Sequence, residues 1–226
     1  DNWTNLNFME IKGVIFDFNG TLFFDTHLHN QAWDVFLKKH SLALTHEEKN
    51  FKIHGKNNAE IMSNLFSKDL SKDDIETLSI EKEDIYQSLC LKEKMALAPG
   101  VLDFLEYLDK NNIPFTIATA SDLYNLQFYF EHLELKKYFD LDQIVYSNGK
   151  IKSKPHPEIF LKAMDVLKID ASETLIFEDS TSGILAAENS KAKKIIIVDS
   201  ANNDYSKWNY DVITSFDEID TSIFKK

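Results

Sequence analysis

The chain has 226 residues, 43% of them hydrophobic, enough to bury one large domain or a domain carrying an insert. Its formal net charge of −12 argues against a nucleic-acid surface, because phosphate backbones select basic patches. All 25 basic residues are lysine, so no guanidinium fork is available to grip phosphate, although a small phosphorylated substrate can be held by one Lys, backbone amides and a metal.

The elements follow in chain order. Residues 11–16 (IKGVIF) form a short apolar, β-rich run that predicts a buried strand, and Asp-Phe-Asn-Gly-Thr behind it predicts a turn. From about 26 to 94 no strand pattern occurs. Helical spacing takes over with Ala32, Trp33, Phe36 and Leu37, then Ile61, Met62, Leu65 and Phe66, then Ile75, Leu78, Ile85 and Leu89. That is too much chain for a loop, so it is expected to be a helical insert, with hinges at 22–25 and 97–99. After Pro99-Gly100, Val101, Leu102, Leu105 and Leu108 share a helix face, and residues 113–118 predict the second strand. Residues 144–146 predict a third. Ile159, Phe160, Ala163, Met164 and Leu167 share a further helix face, and strands are predicted at 174–177, 194–198 and, more weakly, 211–213.

Apolar strands alternating with helices imply an α/β fold with a Rossmann-like parallel sheet covered on both faces. The core is expected from residues 1–25 and 96–226, with the helical insert, or cap, from 26–95. No run of 18 apolar residues occurs, so no membrane span is expected. Residues 1–10 lack the basic start and apolar stretch of a secretory signal. The single cysteine, Cys90, cannot form an internal disulfide, which fits a cytoplasmic protein. A monomer is the expectation for this architecture.

In an open parallel sheet, function gathers at the carboxyl ends of the strands. At those ends stand Asp17 with Asn19 and Gly20, then Thr119-Ala120-Ser121, then Lys154 between Ser153 and Pro155, then Glu178-Asp179-Ser180. Taken singly, Asp17 could begin a turn, Thr119 could cap a helix and Lys154 could be solvated. Two adjacent acids at a buried strand end are harder to dismiss, since unpaired they repel and a cation is the economical partner. Together these residues supply a carboxylate nucleophile, a hydroxyl donor, a cation for phosphate and acids for a hard metal. Those are the parts of a phosphoryl-transfer site.

Four motifs in this order resemble the haloacid-dehalogenase (HAD) superfamily over residues 11–213. The nearest branch is that of β-phosphoglucomutases and sugar-phosphate phosphatases with a helical cap. The first motif is met at Asp17, Gly20 and Thr21, the second at Thr119, the third at Lys154 within Lys-Pro-His-Pro-Glu, and the fourth at Glu178-Asp179-Ser180 with Gly183. His29 before Ala32-Trp33, and Ala98-Pro99-Gly100, resemble that branch's entry to the cap and return from it. The resemblance implies a Mg²⁺-dependent phosphatase in which Asp17 attacks phosphorus and forms an aspartyl phosphate. It implies Mg²⁺ held by Asp17, the main-chain carbonyl of Asn19, Glu178 and Asp179, with phosphoryl oxygens on Thr119, the Ala120 amide and Lys154. The cap loop His54, Gly55, Lys56, Asn57 and Asn58 is expected to read a small phosphorylated metabolite. His29 is divided between a structural role and a hinge or substrate contact.

One position departs from the family. Asn19 stands where the second aspartate of the first motif acts as general acid and base, and an amide cannot move that proton near neutral pH. Such catalysis is typically worth about 10²–10⁴-fold. Three explanations compete: an engineered substitution, a natural residue matched to leaving groups that need little protonation or assisted by His29, or conversion to a metabolite-binding protein. A β-phosphoglucomutase-like transferase ranks below a phosphatase, because its relatives use a cap Arg and this chain has none. Phosphonate-cleaving relatives carry a cap Lys three places after a Gly, where this chain has Asn58 and only a misplaced Lys56.

Overall fold

The computed structural model of the protein describes residues 10–54, 56–66 and 69–224. Within them, five parallel strands form one sheet: β1 (Gly13–Phe16), β2 (Phe115–Ile117), β3 (Thr174–Glu178), β4 (Lys194–Val198) and β5 (Asp211–Ile213). Their order is β2-β1-β3-β4-β5, with β1 at an interior position between β2 and β3. All four residues of β1 and all five of β3 are buried, as expected of strands covered on both faces.

The side-chain alternation of a strand sends β1 into two different cores. Val14 and Phe16 pack with Phe104 and Leu105 of α5 (Val101–Lys110) and with Leu126 and Tyr129 of α6 (Leu123–His132). Ile15 packs on the opposite side with Ile159, Phe160 and Ala163 of α7 (Glu158–Leu167) and Ala186 of α8 (Thr181–Asn189). Phe16 stacks on Phe177 of the neighbouring strand, ring centroids 5.2 Å apart.

The strand expected at 144–146 does not form. Its one sheet-like contact is a parallel bridge between Val145 and Ala118. The Val145 amide donates to the Ile117 carbonyl at 3.0 Å and its carbonyl accepts from the Thr119 amide at 2.9 Å. The run is too short to extend the ladder, because a helical turn at Leu141–Gln143 ends one residue before it.

Between β1 and α5 lie four helices among the described residues: α1 (Thr26–Lys39), α2 (His46–Lys52), α3 (Asn58–Leu65) and α4 (Lys72–Lys92). Capping boxes at Thr45/Glu48 and Ser71/Asp74 start α2 and α4. Trp33, Phe36, Leu37, Ile53, Ile61, Met62 and Leu65 make a separate apolar cluster, in line with the spacing on α1 and α3. The α4 expectation needs correcting. Its buried face carries Ser79, Lys82, Glu83, Tyr86 and Cys90, whereas Leu78, Ile85 and Leu89 are only partly buried at its flanks. Lys82, Glu83 and Tyr86 can occupy that face because they bond to one another or to the residues around them, whereas the buried Ser79 hydroxyl finds no hydrogen-bond partner among the described residues. The connectors at either end of the insert touch, the Ala98 amide donating to the Leu22 carbonyl at 2.8 Å. Among the described residues no helix is long and apolar enough to cross a membrane.

Candidate active site

The sheet register brings the carboxyl ends of β1, β2 and β3 level, since Phe16 pairs with both Ile117 and Phe177. Asp17 follows β1 directly, Thr119 lies two residues beyond β2, Glu178 ends β3 and Asp179 follows it. Lys154 arrives from the loop before α7. It is 8% exposed, which rules out a solvated surface role.

Lys154 Nζ donates to Asp17 Oδ1 at 2.9 Å, to Glu178 Oε2 at 2.7 Å and to the Ala118 carbonyl at 3.3 Å. Thr21 Oγ1 donates to Asp17 Oδ2 at 3.1 Å and lies 3.2 Å from Asp179 Oδ1. Ligand oxygens of Asp17, Glu178 and Asp179 all fall within 4.8 Å of one another. Three carboxylates against one ammonium leave two negative charges when all are ionised. An all-oxygen donor set with that excess fits a hard divalent cation.

The electrostatics agree. Burial, with the Asp17 charge beside it, pushes the Glu178 carboxyl up to about 7, and the same causes hold Asp179 well above the usual carboxylate range. Burial alone would lower the Lys154 pKa, but the Asp17 and Glu178 carboxylates raise it above the ordinary lysine value. The ammonium is therefore permanent, and the acids are short of positive charge.

Two glycines make the crowding possible. Gly20, at φ 77°, occupies left-handed backbone, and a Cβ there would overlap the Asp179 carboxylate. A Cβ on Gly183, in the first turn of α8, would overlap the Glu178 carboxyl. Glu178 lies under that helix N-terminus, accepting the amides of Asp179 at 3.0 Å and Ser180 at 3.4 Å.

Asn19 sits on the same rim in a fully specified setting. Its Oδ1 accepts Ser121 Oγ at 2.6 Å and lies 3.5 Å from Thr119 Oγ1, while its Nδ2 donates to Asp25 Oδ2 and to Tyr129 OH, both at 2.8 Å. Asp25 is fully buried and also accepts the Gly20 amide at 3.0 Å, the Tyr86 hydroxyl and His29 Nε2 at 3.2 Å. Burial alone would raise the Asp25 pKa, but the bonds from His29, Tyr86 and Asn19 outweigh it and hold the carboxyl low. Burial and the Asp25 charge push both tyrosines well above the usual phenol range, so they stay protonated donors.

His29 is stacked on Tyr86 at 3.8 Å and has both ring nitrogens engaged, Nε2 with Asp25 and Nδ1 with Lys82 Nζ at 2.8 Å. That favours the structural half of the expectation for His29. Lys82 in turn pairs with Glu83 at 2.9 Å, and Glu83 accepts the Asn125 side chain from α6. The sequence pattern places Asp25 only in a hinge and Ser121 only within the Thr119-Ala120-Ser121 run, and it assigns no site role to Tyr86, Tyr129, Lys82 or Glu83. The available signal was the polar series at 79, 82, 83, 86 and 90, which has helical spacing. Thr119, expected as a possible helix cap, instead accepts the Ser121 amide at 3.0 Å, and Asp122 caps α6.

The cap-loop residues are divided. Asn57 Nδ2 donates to Ser153 Oγ at 3.0 Å, next to Lys154, which ties the start of α3 to the rim. His54, Lys56 and Ala120 are exposed, Asn58 donates to Glu83 at 3.4 Å, and Gly55 lies outside the described residues.

A family model described as a haloacid dehalogenase-like hydrolase matches residues 11–191. The chain is 29% identical over 198 residues to a phosphorylated carbohydrates phosphatase of Thermotoga maritima, covering 86% of this chain and 88% of that protein. It is 26% identical to hexitol phosphatase A of Escherichia coli over 179 residues, 79% of either chain. The crystal structure of a HAD hydrolase, family IA, variant 3, from Entamoeba histolytica aligns at a TM-score of 0.83 and 34% identity, covering 94% of this chain and 97% of that one. The chain belongs to the haloacid dehalogenase-like hydrolases.

Proposed function

We propose that this hydrolase is a Mg²⁺-dependent phosphatase of small phosphorylated metabolites, with Asp17 as nucleophile. The reading rests above all on the convergence of Asp17, Lys154, Glu178 and Asp179 at one rim of the sheet. The named phosphatases among its relatives point the same way. Asp17, the Asn19 carbonyl, Glu178 and Asp179 would hold Mg²⁺, which supplies charge neutralisation when bound. Lys154, Thr119 and the Ala120 amide hold the phosphoryl oxygens, and Thr21 orients the Asp17 carboxylate. Asp17 attacks phosphorus to form an aspartyl phosphate, and water then releases phosphate and restores the carboxylate. The segment 26–95 acts as the cap, with His54, Lys56 and Asn57 facing the substrate. A monomer working in the cytoplasm completes the proposal.

A phosphate-release panel of acyl phosphates, aryl phosphates, sugar phosphates, nucleotides and pyrophosphate tests the reading. Turnover of at least one member is expected with Mg²⁺ and not with EDTA. Metabolite binding by calorimetry without any release would point instead to a binding protein.

Titration of the acids gives a second expectation. Because folding raises the Glu178 pKa from 4.5 to about 7, this group stabilises the metal-free fold below about pH 4.5 and loses that contribution as pH rises through 7. The upper bound is about 3 kcal/mol. Metal-free protein is therefore expected to melt at lower temperature at pH 8 than at pH 5.5, and Mg²⁺ to restore the difference. A Mg²⁺-induced shift in Tm that is equal at both pH values would contradict the assignment of Glu178 as a ligand.

A further inference from the structure

The side chain at position 19 is next to the nucleophile, and the structure decides which of its ends faces the reacting groups. Both amide hydrogens of Asn19 point inward, to Asp25 Oδ2 and Tyr129 OH at 2.8 Å each. Its oxygen points to the rim, toward Ser121 Oγ at 2.6 Å and Thr119 Oγ1 at 3.5 Å. A flipped amide would set Oδ1 against the Asp25 carboxylate and leave that buried acceptor short of a donor, so the orientation is locked. Asp25 is itself committed on every side, to Gly20 N, Asn19, Tyr86 and His29, and has no surface exposed. His29 is held between Asp25 and Lys82, and Lys154 between Asp17 and Glu178. Position 19 therefore presents a carbonyl acceptor to the site and no proton.

We infer that the Asn19–Asp25 pair sets the substrate class of this site, namely phosphoryl groups carried on leaving oxygens that depart as stable anions. Acyl phosphates and phosphoanhydrides fit this chemistry, whereas simple alkyl phosphates do not. The inference rests on the phosphatase reading above. In the first step an Asp17 oxygen forms a bond to phosphorus while the bond from phosphorus to the leaving oxygen breaks. The electron pair goes with that oxygen, and no proton is delivered. In the second, a water oxygen bonds to phosphorus, the Asp17 oxygen leaves as carboxylate, and the water proton goes to phosphate or solvent. Asn19 Oδ1 can orient that water as an acceptor. Asp25 acts as a positioning residue, through Asn19.

The test is a leaving-group series with Mg²⁺: acetyl phosphate, aryl phosphates with leaving-group pKa from about 4 to about 10, and glycerol 3-phosphate. For the wild-type protein kcat/KM is expected to fall steeply with leaving-group basicity, with the alkyl ester at least about 10²-fold below acetyl phosphate. The exchanged pair, Asn19→Asp with Asp25→Asn, moves the carboxylate to position 19 and keeps an amide between the two. It is expected to raise the alkyl ester relative to acetyl phosphate by about 10²-fold, flattening the series. Wild-type rates within tenfold across the series would overturn the inference while leaving the phosphatase reading standing. Release from no member would overturn that reading and the inference with it. Should the exchanged protein fail to fold, the wild-type slope alone still decides.

Discussion

Asp17→Asn is expected to abolish phosphate release, by at least about 10⁴-fold, in a protein that still folds. The size follows from the role, since losing a covalent nucleophile costs about as much as losing the whole catalytic group it belongs to. Retention of the fold follows from the local charge. Asp17 is one of three crowded acids, and its charge is among the causes that raise both Glu178 and Asp179. An isosteric amide relieves that repulsion, and Lys154 keeps Glu178 as its partner at 2.7 Å. Metal-free Asp17→Asn is accordingly expected to melt no lower than the wild type. The pair of measurements, release and melting, separates loss of chemistry from loss of structure. Undiminished turnover would place the nucleophile elsewhere.

The second large effect is expected for Lys154→Ala, on stability as well as on turnover. Lys154 is buried between two carboxylates and provides the one ammonium that the described contacts place on Asp17 and Glu178. Removing one member of a buried ion pair leaves an uncompensated charge, at a cost of about 3–5 kcal/mol. Part of this cost can be avoided by protonation, because Glu178 titrates near 7 even with the lysine in place. Denaturant unfolding is therefore expected to show the full loss at pH 8 and a smaller one at pH 5.5. Turnover should fall about 10²–10³-fold, the typical effect of deleting one charge-stabilising donor. Equal stability of variant and wild type at pH 8 would mean that solvent or another group already neutralises Asp17.

Much of the site was legible because its residues sit at strand ends. A buried parallel strand is a local apolar run, and the residue that follows it is delivered to the sheet rim by topology alone. That is why Asp17, Thr119, Lys154, Glu178 and Asp179 could be named from spacing, and why the motif order reinforced each weak signal. The run at 144–146 forms no strand for a related reason. Apolar β-branched character admits a strand but does not provide an edge on which to extend, and only Val145 reaches β2.

The setting of Asn19 was beyond sequence reading. Residues 19, 25, 86, 121 and 129 come from the β1 turn, the entry to the insert, α4 and both sides of the start of α6. Nothing in a one-dimensional pattern says that a tyrosine on α4 and another on α6 meet over an aspartate in the entry loop. The buried polar face of α4 is hidden from a one-dimensional pattern for the same reason. Lys82 and Glu83 look like solvated residues until His29 and Asn125 are seen to satisfy them.

By itself, then, the sequence determined the parallel α/β framework, the helical insert and the identity of the charged groups at the rim. These follow from local hydrophobic periodicity and chain order, which act over a few residues at a time. Only the tertiary structure decided that Lys154 is buried, that the three acids crowd one point, and that Asn19 turns its oxygen outward. Those outcomes depend on which polar groups must satisfy one another once water is excluded, and that is a property of the packed molecule.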